Sequence, residues 1–186
     1  EMIEKPDLAS CITIESSEGR YFQTISDGIN AAMSNERAVI VFFEDETKLK
    51  RFQKWPNFRK SFRDVAILES KTPKDQRKEI IRKAATSKQI TLATAPFGRG
   101  SDFFCKDSKL EKKGGMLVIQ AFLSLEKSEE IQIQGRTARQ GLAGAYCMVL
   151  LESDLTQNFD IEAGTSSTKK GLELYDFLDQ TRQDRH

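Results

Sequence analysis

The sequence predicts an α/β fold, with a mainly parallel sheet and helices on both faces, and three observations carry that prediction. Apolar runs of strand length occur at residues 38–43 and 145–151, and residues 90–94 read as another buried strand. Runs that are apolar at every position rather than at alternate ones mark strands buried on both faces, as in a parallel sheet. Between such runs lie segments with helical spacing, for example Phe22, Ile25, Ile29 and Met33; one stripe of each helix is thus available to cover the sheet. Finally, 186 residues of which 38% are hydrophobic and 31% charged suffice for one full core but not for two large ones. We therefore expect a single domain over residues 1–160, followed by a loop and helix extension over 161–186.

The elements follow in order. Residues 9–15 have β-branched side chains in alternation and read as a strand, and the stripe from Phe22 to Met33 is the helix after it. Residues 38–43 form the next strand, closed by the acidic turn Glu44-Asp45-Glu46. Residues 47–63 are basic and aromatic together, with Lys48, Lys50, Arg51, Lys54, Arg59, Lys60 and Arg63 among Phe52, Trp55, Phe58 and Phe62. Basic residues interleaved with rings can serve single-stranded nucleic acid, since bases stack while cations hold phosphates. The stronger reading is structural: Phe52 and Trp55 are helically spaced and face the core, Pro56 breaks the helix, and the cations keep the wet side. A short strand at 65–68 leads to a helix opened by Thr72 as capping hydroxyl with Pro73 at its first position. Ile80, Ile81 and Ala84 make its stripe. The strand at 90–94 runs into a glycine-rich turn, a polar connection spans 103–113, and a strand follows at 114–119. Residues 125–139 read as a helix, 145–151 as the last buried strand, 158–168 as a loop, and 169–182 as a closing helix that Ser166, Ser167 or Thr168 can cap.

Composition also narrows function. The net charge of +1 offers no global attraction to nucleic acid or membrane. The three cysteines are far apart without C-x-x-C spacing, and the single histidine is His186, so no zinc site is expected. No signal peptide, lipidation motif or 18-residue apolar run is visible. The chain reads as soluble and cytoplasmic, from a reducing compartment, and the charged opening Glu1-Met2-Ile3-Glu4-Lys5-Pro6 reads as a linker inside a larger protein.

Two motifs carry chemistry. In Gln132-Ile133-Gln134-Gly135-Arg136-Thr137-Ala138-Arg139-Gln140-Gly141 the arginines are three apart, a spacing that on a helix shares one face. Guanidinium is always charged and donates two parallel hydrogen bonds to phosphate oxygens, so the pair suits a polyphosphate. The ordinary alternative is a solvated helix face. The pattern resembles motif VI of the superfamily 2 helicases and translocases. Upstream, Ala93-Thr94 followed by Gly98-Arg99-Gly100-Ser101-Asp102 ends a buried strand at the carboxyl edge of the sheet, where α/β folds bind ligands. It resembles motif V of the same proteins.

Taken with Pro6-Asp7-Leu8, the strand at 39–43 and the run Gly114-Gly115-Met116-Leu117-Val118-Ile119, the order of motifs is similar to the second nucleotide-binding domain of SecA, the preprotein translocase ATPase. The resemblance runs from about Glu4 to about Asp160. It implies a RecA-like three-layer domain of P-loop NTPase type without a Walker A motif, in which Arg139 and Arg136 act catalytically on ATP bound by an upstream domain of the same polypeptide. It also implies that Asp102, Gly98, Arg99, Gly100, Gln132 and Gly135 line the nucleotide, and that ATP and Mg2+ are held mainly by that upstream domain. The implied cargo is a polypeptide, with peripheral membrane contact only through other domains. The chain departs from the family at Ala95-Pro96-Phe97, where SecA has Asn-Met-Ala, and at residues 121–125, which lack the usual charged segment with its histidine. Two alternatives stay open: the C-terminal domain of an RNA or DNA helicase of superfamily 2, and an ATPase-dead interaction module.

Overall fold

The computed structural model describes residues 11–101, 103, 108–136 and 144–185. Six strands form one sheet in the order β1-β6-β5-β2-β4-β3, and every pairing is parallel. They are β1 (Ile12–Glu15), β2 (Val39–Phe43), β3 (Val65–Leu68), β4 (Ile90–Thr94), β5 (Met116–Gln120) and β6 (Gly144–Leu151). Because all run the same way, their carboxyl ends line one edge. The interior strands β2 and β4 are buried at every position, which explains the unbroken apolar run of β2.

Alternate residues of β2 serve opposite faces. Val39, Val41 and Phe43 join a cluster with Tyr21, Phe22, Ile25 and Ile29 of α1 (Glu18–Ser34), Leu49 and Phe52 of α2 (Glu46–Lys54) and Phe58 of α3 (Pro56–Ser61). Ile40 and Phe42 join the cluster on the other face, with Ala84 of α4 (Lys74–Ala84), Leu110 of α6 (Ser108–Lys112), Ile133 of α7 (Lys127–Gln134), Leu155 and Phe159 of α8 (Glu152–Phe159), and Leu174 and Leu178 of α9 (Gly171–Gln183). The remaining helix, α5 (Pro96–Gly100), sits at the carboxyl end of β4. The expected three-layer α/β architecture is what the chain adopts.

Side-chain caps act at two helix starts. The Ser17 hydroxyl accepts from the Arg20 amide at 3.3 Å and the Asp45 carboxylate from the Lys48 amide at 2.9 Å; each relieves one of the unpaired amides of a first turn. Elsewhere the structure corrects the sequence reading. Thr72 does not cap α4: its hydroxyl accepts from the Glu69 amide at 3.1 Å, and Pro73 stands at the cap without a side-chain bond. The glycine-rich segment after β4 is a short helix rather than a turn. The connection at 103–113 contains α6, and α8 occupies Glu152–Phe159, where no helix was expected. Helix α9 begins at Gly171 with no side-chain cap from Ser166, Ser167 or Thr168. Most relevant to function, the helix expected over 125–139 covers only Lys127–Gln134. The part of the 1–160 domain before Cys11 lies outside the described residues.

Candidate functional site

The site starts from β4, which delivers the chain at the carboxyl edge into α5, with Pro96 in its first turn. Gly98 faces α7 so closely that a Cβ there would stand 2.5 Å from Cγ1 of Ile133. Only a residue without a side chain permits this approach. Gly100 is different: open space surrounds it, so its role is not packing.

Helix α7 ends as Gly135 takes the cap position, and the Gly135 amide donates to Ile131 O at 2.9 Å. Arg136 therefore lies just beyond α7, and the face expected to be shared by Arg136 and Arg139 falls in part outside the described residues. The Arg136 guanidinium donates from Nε to Gly98 O at 2.8 Å and from Nη2 to Arg99 O at 3.1 Å. Carbonyls at the end of a short helix lack intrahelical partners, and a cation satisfies them well. The two sequence motifs are thus tied together by one side chain. Asp102 and Arg139 lie outside the described residues, as do residues 137–143 altogether.

Beside this tie an open groove is lined by Glu44, Pro96, Arg99, Leu123, Glu129 and Gln132. Arg99 and Gln132 are exposed there, and Arg99 Nε stands 3.5 Å from Glu129 Oε1. Glu44, at the end of β2, has its carboxyl pushed up, first by burial and then by the neighbouring Asp45 and Asp154 carboxylates, against the opposing pull of Lys48. Lys48 itself pairs with Asp154 at 2.6 Å. Among the described residues no cluster of three or more His, Cys, Asp or Glu is placed to hold a metal ion, so none of them offers a ready magnesium site.

Residues 21–141 match the model of the helicase conserved C-terminal domain. The chain belongs to this family. Among curated relatives, Protein translocase subunit SecA 2 of Listeria monocytogenes is 37% identical over 86 residues, 46% of this chain and 11% of the relative. Protein translocase subunit SecA of Mycoplasma mobile is 31% identical over 97 residues, 52% of this chain and 11% of its own length. The chain thus spans about a tenth of the curated relatives it matches. Among solved structures, Mss116p DEAD-box helicase domain 2 bound to an RNA duplex superposes with a TM-score of 0.55 at 17% identity, covering 92% of this chain and 68% of that one. That likeness is one of fold alone, that of a RecA-like domain.

This helicase C-terminal domain also holds groups that sequence reasoning did not single out. Glu44 was read only as part of a turn. Glu129 and Glu130 look like solvated helix charges in the sequence, yet the first faces Arg99 and the second is fully buried. Arg182 reads as surface in a polar tail and is 3% exposed. No spacing rule marks a charge as interior; only its partners do. Among the described residues no helix is long and apolar enough to cross a membrane.

Proposed function

We propose that this chain is the second motor domain of an ATP-dependent, SecA-like translocase, and that it acts on ATP held by an upstream Walker A domain. Arg139 is the finger that meets charge developing on the transferring phosphoryl group. Arg136 couples it to the Gly98-Arg99 segment, and Asp102, Gly98, Arg99, Gly100, Gln132 and Gly135 form the surrounding contact surface. ATP with Mg2+ supplies the phosphoanhydride whose cleavage drives movement. The observation that carries the reading is the bond pair from Arg136 to the carbonyls of Gly98 and Arg99, because it joins the segments that resemble motifs V and VI at one sheet edge. The SecA relatives supply the direction of the analogy.

A polypeptide cargo is favoured over nucleic acid by the packing of the basic aromatic segment: Phe52, Phe58 and Phe62 are buried and Trp55 packs against the same cluster, so the rings serve the core rather than a stacking platform.

The test is Arg139→Lys in the protein carrying both nucleotide domains. Lysine keeps the charge and loses the planar fork. ATP binding is expected to stay near normal while turnover falls at least about a hundred-fold, since an arginine supplied across an interface acts mainly on the transition state. Unchanged turnover would show the arginine to be structural. RNA-stimulated hydrolysis would instead favour the helicase alternative.

A further inference from the structure

Helix α7 has few means of holding its own position. It is 8 residues long, opens without a side-chain cap, and buries only Glu130 and Ile133. Ile133 seats in the notch left by Gly98. One apolar contact fixes the distance of a helix but leaves it free to roll about its axis. A second anchor three residues away, on the same face, removes that freedom.

Glu130 is that anchor, and it is 0% exposed. Its Oε1 accepts from the Tyr175 hydroxyl at 2.7 Å and the Gln134 amide at 3.0 Å, and its Oε2 accepts from Arg182 Nη1 at 2.8 Å. Arg182 also donates to the carbonyl of Ser124, just before α7, at 3.2 Å, and to Asp179. Lys127 at the start of α7 closes the net, with Nζ 2.7 Å from Asp179 Oδ2. Tyr175, Asp179 and Arg182 all belong to α9, so that helix grips α7 at Lys127 and Glu130.

Stability alone is a poor account of this net. Desolvation consumes most of the Coulomb gain of a buried ion pair, and well-packed apolar replacements are often neutral or better. Here Arg182 Nε is additionally buried without a hydrogen-bond partner among the described residues. What the net provides, and apolar packing would not, is a fixed orientation. That orientation leads straight to the sheet edge: α7 presents Gln132 to the groove, and two residues past its end Arg136 holds Gly98 and Arg99.

We infer that α9 is a brace that fixes the roll of α7, with Arg182 and Glu130 as positioning residues for Gln132 and Arg136. The inference rests on the motor-domain reading above and extends it to side chains that touch no nucleotide.

The experiment uses the protein carrying both nucleotide domains. It compares the double variant Glu130→Leu with Arg182→Met, the single variant Arg182→Lys, and Arg139→Lys as reference. The double variant removes the charges of Glu130 and Arg182 together, and Asp179 keeps its pairing with Lys127. ATPase kcat and KM, the thermal midpoint and hydrogen exchange at the α7 amides are measured on each. For the double variant kcat is expected to fall roughly ten- to a hundred-fold, the scale of a misplacement of about 1 Å. KM stays within about twofold, the midpoint stays near the parent's, and the α7 amides exchange faster. Arg182→Lys is expected to fall between the parent and the double variant, and it decides the question if the double variant fails to fold. Unchanged kcat in the folded variants, with Arg139→Lys still slow, overturns the brace and leaves the motor reading standing. Unchanged kcat in Arg139→Lys overturns the motor reading itself.

Discussion

At Gly98 a single missing carbon decides how closely two helices meet. A methyl group there would collide with Ile133 Cγ1 at 2.5 Å, and Phe42 stands behind at 3.6 Å. Alanine would gain about 1 kcal/mol of helix propensity over glycine, against overpacking of about 1–3 kcal/mol; the balance favours loss. Gly98→Ala is therefore expected to lower stability in urea unfolding, and Ile133→Ala to lower it by about 2–5 kcal/mol. The double variant should lose less than the sum, because the vacated space admits the methyl. Strict additivity would show that the two residues do not press on one another. A second residue-scale expectation concerns thiols. Cys147 on β6 has its pKa pushed up to about 12, first by burial and then by nearby Cys11, whereas Cys11 is exposed. Since the thiolate is the nucleophile, iodoacetamide at pH 8 should label Cys11 and spare Cys147 until the chain unfolds, as read by peptide mass mapping. Raising a thiol's folded pKa also has a fixed sign: stability is present below the unfolded value and declines as pH rises above it.

Among the helices, the basic aromatic segment shows how function and packing share a sequence. Phe52 lies 5.4 Å from Phe22, 5.4 Å from Phe43 and 4.8 Å from Phe58, centroid to centroid. Phe52→Ala should cost about 3–5 kcal/mol, while Lys54, Arg59 and Lys60, all exposed, should tolerate glutamine within about 0.5 kcal/mol each. Thermal or urea unfolding separates these outcomes, and a large loss from the lysine changes would place the cations in a structural role. The sequence made such helices legible through their stripes, and the strands through burial on both sides. It did not reveal where α7 stops. That end is set by Gly135 together with a tertiary contact, Arg136 on the carbonyls of α5, which local propensity does not encode. Helix α8 escaped notice because its buried stripe is only Leu155 and Phe159. Helix α9 was visible, but its grip was not, since Arg182 and Asp179 look like solvent charges until their partners are known. Burial opposes ionisation of Asp179, yet hydrogen bonds from Arg182 and Lys127 prevail and hold its carboxyl below the ordinary value of 3.8. A depressed acid stabilises the fold above its unfolded pKa, and that contribution is lost as pH falls through the lower folded one. The urea midpoint should accordingly drop below about pH 4, and Asp179→Asn should flatten that drop; equal slopes would mean that the α9 net carries no linkage.

At the scale of the whole molecule, folding separates from nucleotide chemistry on the proposed motor reading. Its parallel sheet is covered on both faces by its own helices, with buried clusters on each side, so the chain is expected to fold alone. Binding is another matter. In this class most phosphate affinity comes from the loop whose backbone amides and lysine wrap the β- and γ-phosphates, and from carboxylates that hold magnesium. The sequence contains no G-x-x-x-x-G-K-S/T run. Arg136 is already engaged with the backbone of α5, and Arg99, an exposed cation at the edge, faces water and Glu129. Exposed charge pairs are worth only about 1 kcal/mol apiece. A few of them give a dissociation constant of about 1 mM at best. Titration calorimetry of the chain with ATP and magnesium should therefore register little heat, and a phosphate-release assay should show no turnover. Micromolar binding or measurable hydrolysis would mean that a complete site lies within these residues and that the two-domain reading is wrong. Adding a Walker A domain from the same protein in trans should restore slow hydrolysis. On the two-domain reading proposed above, the restoration should vanish with Arg139→Lys, because that reading makes Arg139 the finger for a nucleotide held by the partner domain.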